Sequence, residues 1–482
     1  MASGNFYYTV FLSVILALLM SGTSFAGERV PLKLTIEETI ELVKKQNLSL
    51  RVDSYKPGIA EADLLVKWGN FDPLVSLDVN DSYMKQSSPS IIDNSEQRVF
   101  NYNASVSGTI PTGTGYELKW NNLEFIGNSP FLTLNRYHST DLDLSLKQPV
   151  LKGFGVDVQL ANVRVSKNAV DMAKLDYGSA VVAKVADAVI QYWDLSSALA
   201  SLESAGLALS LAESTDKEVK AKIKAGAMAR VDVYTTEAEI AEREESLIES
   251  EKKARDADNN LKAMINLENT DERLDPVSTP PEGVQAESPE DIIKEALASR
   301  QDYQRVLVEK KSKEILAAYY KNQMLPDLSL QAEYGYGGLG TDYKAALNQL
   351  FDDGKSWKIG FMLTVPIGNR KNVGNYHRAK FELEQMDSSI LQLEQTIRVS
   401  VKEALTAVLY AQKKAAAATK TRIASEKKLE AEDGKFKAGL AALNDVLKFQ
   451  RDYANSVYEE KKAKNDFAKA LVNLNRVKGR MP

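Results

Sequence analysis

The sequence predicts a mainly α chain that also carries transmembrane β-strands, laid out as one plan used twice: a strand pair followed by two long antiparallel coiled helices. Three observations carry this prediction: an internal duplication, runs of strictly alternating apolar and polar residues, and proline-free stretches with apolar residues at heptad spacing. A length of 482 residues suits two or three ordinary domains or one elongated architecture made from a repeated unit. Basic residues (61) nearly balance acidic ones (66), so the broad basic excess of a nucleic-acid binder is missing.

The first element is an address. Phe6 to Met20 is mostly apolar, and Ser24 and Ala26 supply the small residues of a cleavage site, so residues 1–26 read as a secretory signal peptide. No Lys or Arg precedes the apolar core, and an uncleaved N-terminal anchor is the alternative. Past Ala26 no apolar run looks long enough to cross a bilayer as a helix, so any crossing falls to strands.

The duplication sets the domain plan. Pro73-Leu74-Val75-Ser76-Leu77 resembles Pro326-Asp327-Leu328-Ser329-Leu330, 253 residues from Pro73 to Pro326. At the same offset Thr35 falls on Ser288, each opening an acidic segment with helix N-cap chemistry. Lys222-Ile223-Lys224-Ala225-Gly226-Ala227 matches Lys435-Phe436-Lys437-Ala438-Gly439-Leu440, 213 residues from Gly226 to Gly439, and Asp232-Val233 falls on Asp445-Val446. The repeats therefore span residues 34–265 and 288–477. Residues 266–287, with Asp275-Pro276 and Pro280-Pro281, read as an irregular linker. The shorter second offset leaves some forty extra residues in the first copy, which we assign to an added β-hairpin at residues 102–120 around Pro111-Thr112-Gly113-Thr114-Gly115.

Strands are expected over residues 73–147 and 327–365. Trp357, Ile359, Phe361, Leu363 and Val365 interleave with Lys358, Gly360, Met362 and Thr364, and Leu142, Leu144 and Leu146 with Asp143, Ser145 and Lys147. One apolar and one wet face suit a lipid-facing barrel around a water-filled lumen, and equally a half-buried sheet; the signal peptide and the placing of Tyr83, Tyr102, Trp120, Tyr334, Tyr336 and Trp357 favour the membrane. Long helices are expected over residues 156–222, 230–265, 376–434 and 445–475. Val233, Ile240, Leu247, Ala254 and Leu261 recur at sevens, a narrow seam on an otherwise charged helix. Such thin hairpins bury too little surface alone and need partners.

Strand pair, bend, long helix, Gly-containing tip and return helix, all twice, resemble the TolC-like outer membrane efflux protein family. The residues that carry the resemblance are Thr35-Ile36-Glu37-Glu38 with Asn47-Leu48-Ser49-Leu50-Arg51, Pro73-Leu74-Val75-Ser76-Leu77, Gln148-Pro149-Val150-Leu151-Lys152-Gly153-Phe154-Gly155, and the two Ala-Gly tips followed by Asp-Val. The family implies a homotrimer whose strands close one shared barrel in outer-membrane lipid and whose helices form a tunnel across the periplasm. It implies an outer-membrane channel subunit of a tripartite efflux or type I secretion system. Such a subunit is a passive exit duct for solutes or proteins, docked to a periplasmic adaptor (membrane fusion) protein and an inner-membrane transporter of RND or ABC type. No cofactor and no nucleic-acid partner are implied. The family norm is four strands per subunit, so the added hairpin either enlarges the barrel or stands above it as an outer flap. The other class open to the sequence is an exported coiled-coil structural or adaptor protein without a pore.

By the same resemblance the tips Lys224, Ala225, Gly226, Ala227 and Lys437, Ala438, Gly439, Leu440 contact the adaptor, although a helix C-cap alone also asks for the glycines. Asp232, Asp445 and Phe436 fall in the gate region, where symmetry copies would form an acidic ring; a helix-start carboxylate is as well explained as a cap. Ala441 and Lys448 replace an arginine and an aspartate of the family gate, and Phe436 lacks the hydroxyl of the tyrosine it replaces. Other chemistry finds little support. Cysteine is absent, and His138, expected in a loop, and His377, at a helix start, stand apart from any ligand set at metal spacing. Gly335-Tyr336-Gly337-Gly338-Leu339-Gly340 has dinucleotide spacing but leads into another strand, so we expect an outer loop there. With no convergent nucleophile, base or metal set, the chain does not read as an enzyme.

Overall fold

The computed structural model describes residues 31–87, 95–267, 272–281, 283, 288–352 and 354–481, so the signal-peptide reading lies outside the described residues. In chain order the elements are β1 (Leu32–Leu34), α1 (Ile36–Gln46), α2 (Leu48–Asp53), α3 (Tyr55–Trp68), β2 (Leu74–Lys85), β3 (Glu96–Thr109), β4 (Gly115–Gly127) and β5 (Arg136–Pro149). Then come α4 (Val156–Gln159), α5 (Ala161–Lys224), α6 (Asp232–Ile265), β6 (Leu274–Pro276), α7 (Pro289–Ser299) and α8 (Gln301–Gln323). The last are β7 (Asp327–Gly340), α9 (Tyr343–Gln349), β8 (Lys355–Thr364), α10 (Arg370–Lys437) and α11 (Leu443–Lys478). The chain divides into two compact units, residues 1–51, 181–293 and 400–482 in one and residues 52–180 and 294–399 in the other.

The first unit is helical. Val185, Val189, Tyr192 and Leu195 of α5 are buried; of the predicted stripe on α6, Ala254 and Leu261 are buried, with Ile265 beyond them, whereas Val233, Ile240 and Leu247 are half-buried. Small and polar residues allow close packing elsewhere: Ser204 of α5 donates to the Ala454 carbonyl and Gln450 of α11 to Thr215, so helix contacts also carry satisfied hydrogen bonds. One window of α5 is apolar and long enough to cross a membrane by length and composition, contrary to the sequence expectation, and 33% of that window is buried inside the protein.

At the opening of this unit Thr35 and Glu38 form a reciprocal capping box on α1. The linker is not wholly irregular. Within residues 266–287, β6 pairs in parallel with β1, Leu32 opposite Leu274 and Leu34 opposite Pro276. Leu274 is buried, and the fully buried Tyr192 clamps the pair: its hydroxyl donates to the Leu34 carbonyl (3.0 Å) and accepts from the Ser278 amide (2.8 Å). Three paired residues are too short a run to leave a periodicity signal, which is why composition alone read this stretch as loop.

The second unit holds a six-stranded antiparallel sheet in the order β2-β3-β4-β5-β7-β8. The added hairpin is β3 and β4, full members of the sheet, so the version with an outer flap is excluded. Its turn is built for reversal. Gly113 adopts φ +93°, and a Cβ there would lie 2.8 Å from the Gly153 carbonyl oxygen. Gly153 and Gly155, also at positive φ, redirect the chain from β5 into α4; Gly368 and Asn369 do the same between β8 and α10. We expect Gly113→Ala to destabilise the sheet domain by about 1–3 kcal/mol, read as a lower melting temperature of the assembled protein.

Candidate functional site: an amphipathic sheet and two helical tips

The register lines up one apolar face across all six strands. Val75 stands opposite Val106, Val106 opposite Leu118, Leu118 opposite Leu144, Leu144 opposite Tyr334 and Tyr334 opposite Trp357. The adjacent row runs from Leu77 through Ala104, Trp120 and Leu142 to Tyr336. This face is bare in the single chain: Leu77 is 78% exposed, and Trp357 and Phe361 are each 74% exposed. The opposite face is wet. Ser107, Glu117, Ser145, Glu333 and Lys358 form one row and Ser105, Lys119, Asp143, Gly335 and Ser356 the next. The two outermost strands, β2 and β8, are exposed along their whole lengths and each has a sheet neighbour on one side alone. A soluble sheet buries its apolar face and blunts its edges. This one leaves most of its apolar face bare and both edges open.

The glycine-rich stretch is strand, not the expected outer loop: Gly335 to Gly340 complete β7. Its glycines permit close approach from both faces. A Cβ at Gly338 would lie 2.1 Å from the Ala346 carbonyl oxygen of α9, and one at Gly335 would lie 2.3 Å from Asp143 Oδ1. Helix α9, capped by the Asp342 side chain, thus lies against the upper end of the apolar face, where Tyr343 meets Tyr102 and Phe351 meets Tyr336. A polar chain lies on the same face: Trp120 Nε1 donates to Thr140 Oγ1 (3.0 Å), Thr140 to Asn122 Oδ1 (2.7 Å) and Asn122 Nδ2 to the Tyr102 carbonyl (3.1 Å). Gly338→Val should displace α9 at a cost of about 1–3 kcal/mol, seen as new proteolytic cleavage at residues 343–349. His138 also differs from expectation. It lies within β5, partly buried beside Glu124, because the strand runs further than its apolar alternation.

In the helical unit the two tips are near copies. Gly226 and Gly439 both take φ +75°. The Ala227 amide donates to the Lys222 carbonyl and the Leu440 amide to the Lys435 carbonyl, with the glycine amides bonding Ile223 and Phe436, so each tip is a Schellman cap. Nothing lies within 4 Å of a Cβ built on either glycine. Lys224, Ala225, Ala227, Lys437, Ala438 and Leu440 are exposed around them. Asp445 and Lys448 are exposed, and Asp232 Oδ2 accepts from the Ala229 amide (3.1 Å), closing the turn into α6.

Phe436 lies in the packed core of the tips. It is 3% exposed and packs with Val219, Leu443, Val446 and Leu447, because the second tip folds over α5. Lys222 reaches across to it, its Nζ 3.8 Å from the ring centroid and 2.6 Å from the Phe436 carbonyl oxygen. One turn higher, Glu239 of α6 accepts both from Arg243 of its own helix and from Arg451 Nη2 of α11, at 3.1 and 3.0 Å from its two oxygens. Sequence reasoning singled out none of Lys222, Glu239 and Arg451. Their separations, 214 residues from Lys222 to Phe436 and 212 from Glu239 to Arg451, lie within one residue of the repeat offset, which was the available signal.

Comparison with known proteins agrees with this reading. The outer membrane efflux protein family matches residues 292–480. No curated protein sequence matches. Among solved structures, the outer-membrane channel OprN superposes with a TM-score of 0.68 at 14% identity, covering 92% of this chain and 89% of its own. The CmeC outer membrane channel of Campylobacter jejuni gives 0.64 at 16% identity, covering 92% and 85%. A membrane protein from Pseudomonas aeruginosa gives 0.68 at 16% identity, covering 92% and 93%. The second repeat thus carries the match to the outer membrane efflux protein family, and the chain as a whole has the fold of the TolC-like outer-membrane channels.

Proposed function

We propose that this chain is one subunit of a homotrimeric outer-membrane channel, a passive exit duct of a tripartite efflux or type I secretion system. The observation that carries the proposal is the six-stranded sheet with a bare apolar face, a charged opposite face and two open edges. Pairing β2 of one copy with β8 of the next satisfies both edges at once and leaves lipid outside and water inside. Further apolar surface suits the same neighbours: Ile59 and Leu65 of α3 are 61% and 73% exposed, and Phe381 and Leu391 of α10 are 64% and 66% exposed. A pore-free coiled-coil protein has no use for such a sheet. The direct test is extraction of the protein from outer-membrane fractions: a detergent-resistant trimer is expected, and a water-soluble monomer would end the reading.

In this reading the exposed tips, Lys224 to Ala227 and Lys437 to Leu440, meet a periplasmic adaptor, itself bound to an inner-membrane transporter of RND or ABC type. Asp232 and Asp445 contribute acidic rings near the closed end, and Phe436 acts by holding the second tip against Lys222. Exposed carboxylates repeated by symmetry favour cations. Asp445→Asn should reduce cation over anion permeability several-fold in planar bilayers, and unchanged selectivity would remove that residue from the pathway.

A further inference from the structure

We infer that three copies of this chain close an eighteen-stranded barrel of porin width, admitting bulky hydrated cargo; the inference rests on the trimeric reading above. The duplication supplies the comparison. The second repeat contributes two strands, β7 and β8, and the first would contribute two in the same plan, but β3 and β4 make it four. Two strands per repeat would give twelve in a trimer. With neighbouring strands about 4.8 Å apart and tilted by about 40°, twelve strands give a wall roughly 24 Å across and eighteen roughly 36 Å across. After a layer of side chains on each side the clear widths are roughly 12 and roughly 24 Å. Closed sheets of 16–18 strands hold an open aqueous channel, whereas small barrels fill with their own side chains.

The wet face mixes short and long side chains: Ser105, Ser107, Ser145, Gly335, Ser356 and Gly360 lie low, while Glu117, Lys119, Lys147, Glu333 and Lys358 supply charge. Asp143 and Asp141 fold down over Gly335 and Gly337, their Oδ1 atoms 2.3 and 2.7 Å from where a Cβ would stand, so these carboxylates lie along the wall. Helix α9 packs on the apolar side and takes no room from this face. The β4–β5 connection folds over the wet face near one end of the sheet, Leu132 and Leu134 lining a cavity of about 870 Å³ with Leu123 and Ser139, and narrows the opening there. Ser145 lies nearer the other end of β5, clear of that cavity. The width also has a stiffening contact at its inner edge: Thr114 of the hairpin turn bonds Gln148, and the Gly155 amide donates to the Thr112 carbonyl.

The chain has no cysteine, so Ser145→Cys gives a single addressable site on the wall. A nitroxide placed there is measured by pulsed electron double resonance in the assembled full-length protein. The modulation depth counts spins, and equivalent wall positions should be about 10 Å further apart in an eighteen-stranded trimer than in a twelve-stranded one. A variant lacking residues 96–127 supplies the twelve-stranded reference; if it does not assemble, the absolute separation in the full chain decides. The same cysteine is then probed from outside with maleimides of graded size, and a reagent of roughly 20 Å diameter should react. Three spins at the shorter separation overturn the inference while leaving the trimer intact. Three spins at the longer separation with the large reagent excluded overturn the passage of bulky cargo. Any other spin count overturns the trimeric reading itself.

Discussion

Leu144→Arg is expected to prevent outer-membrane assembly, while Ser145→Arg, one residue on, is expected to assemble normally. Leu144 stands in the row that joins Val106, Leu118, Tyr334 and Trp357, near the middle of the apolar face. An arginine on the lipid side of a barrel costs about 2–4 kcal/mol near the bilayer centre, and each trimer would carry three. Ser145 points the other way, in a row with Glu117 and Glu333, where a guanidinium finds carboxylates and water. The measurement is the fraction of detergent-resistant trimer in outer-membrane extracts. Equal loss in both variants would mean that the two faces have been assigned wrongly.

Glu239→Ala should loosen the helical tips. Two guanidiniums converge on this carboxylate, Arg243 and Arg451, and its side chain is 11% exposed. Arg451 is 42% exposed and keeps a longer contact with Glu242 (3.5 Å), so losing the two charged hydrogen bonds costs about 1.5–3 kcal/mol. Faster amide exchange at Asp232–Ile265 and Leu443–Lys478 is the expected readout; exchange unchanged from the parent protein would show that the cluster contributes nothing. Acidification should act in the same direction. Burial alone would raise the Glu239 carboxyl, but Arg451 and Arg243 outweigh it and hold the group below its ordinary value of 4.5. A lowered folded-state value means that the contribution is complete above about pH 4.5 and is lost as pH falls through the folded value.

What the sequence made legible is what repeats. Alternation at Trp357 to Val365 places β8 because each residue type answers to one of two solvents, and the Ala-Gly tips are visible because a Schellman cap demands a residue tolerant of positive φ. Features made by distant pairing stayed hidden. The β1–β6 pair involves three residues a side, and Glu239 meets Arg451 across 212 residues. Phe436 packs against Val219 and Leu443 of other helices, and no local pattern announces that. The glycines of β7 misled for a related reason: glycine marks both loops and surfaces that another backbone must approach, and the approaching helix α9 has only seven residues.

The ladder between β1 and β6 also bears on how the chain is made. The Ile36 amide bonds the Ser278 hydroxyl beside that ladder, a contact separated by 242 residues. A polypeptide made amino end first therefore delivers one half of this clasp long before the other. Until the middle of the sequence emerges, Leu32 to Leu34 have no ladder to join and Tyr192 can hold the Leu34 carbonyl alone, without the Ser278 amide. Closing so long a loop is slow, so this clasp should be timed by the arrival of Leu274 and not by the speed at which individual helices coil, and the packing of α11 on α5 waits longer still.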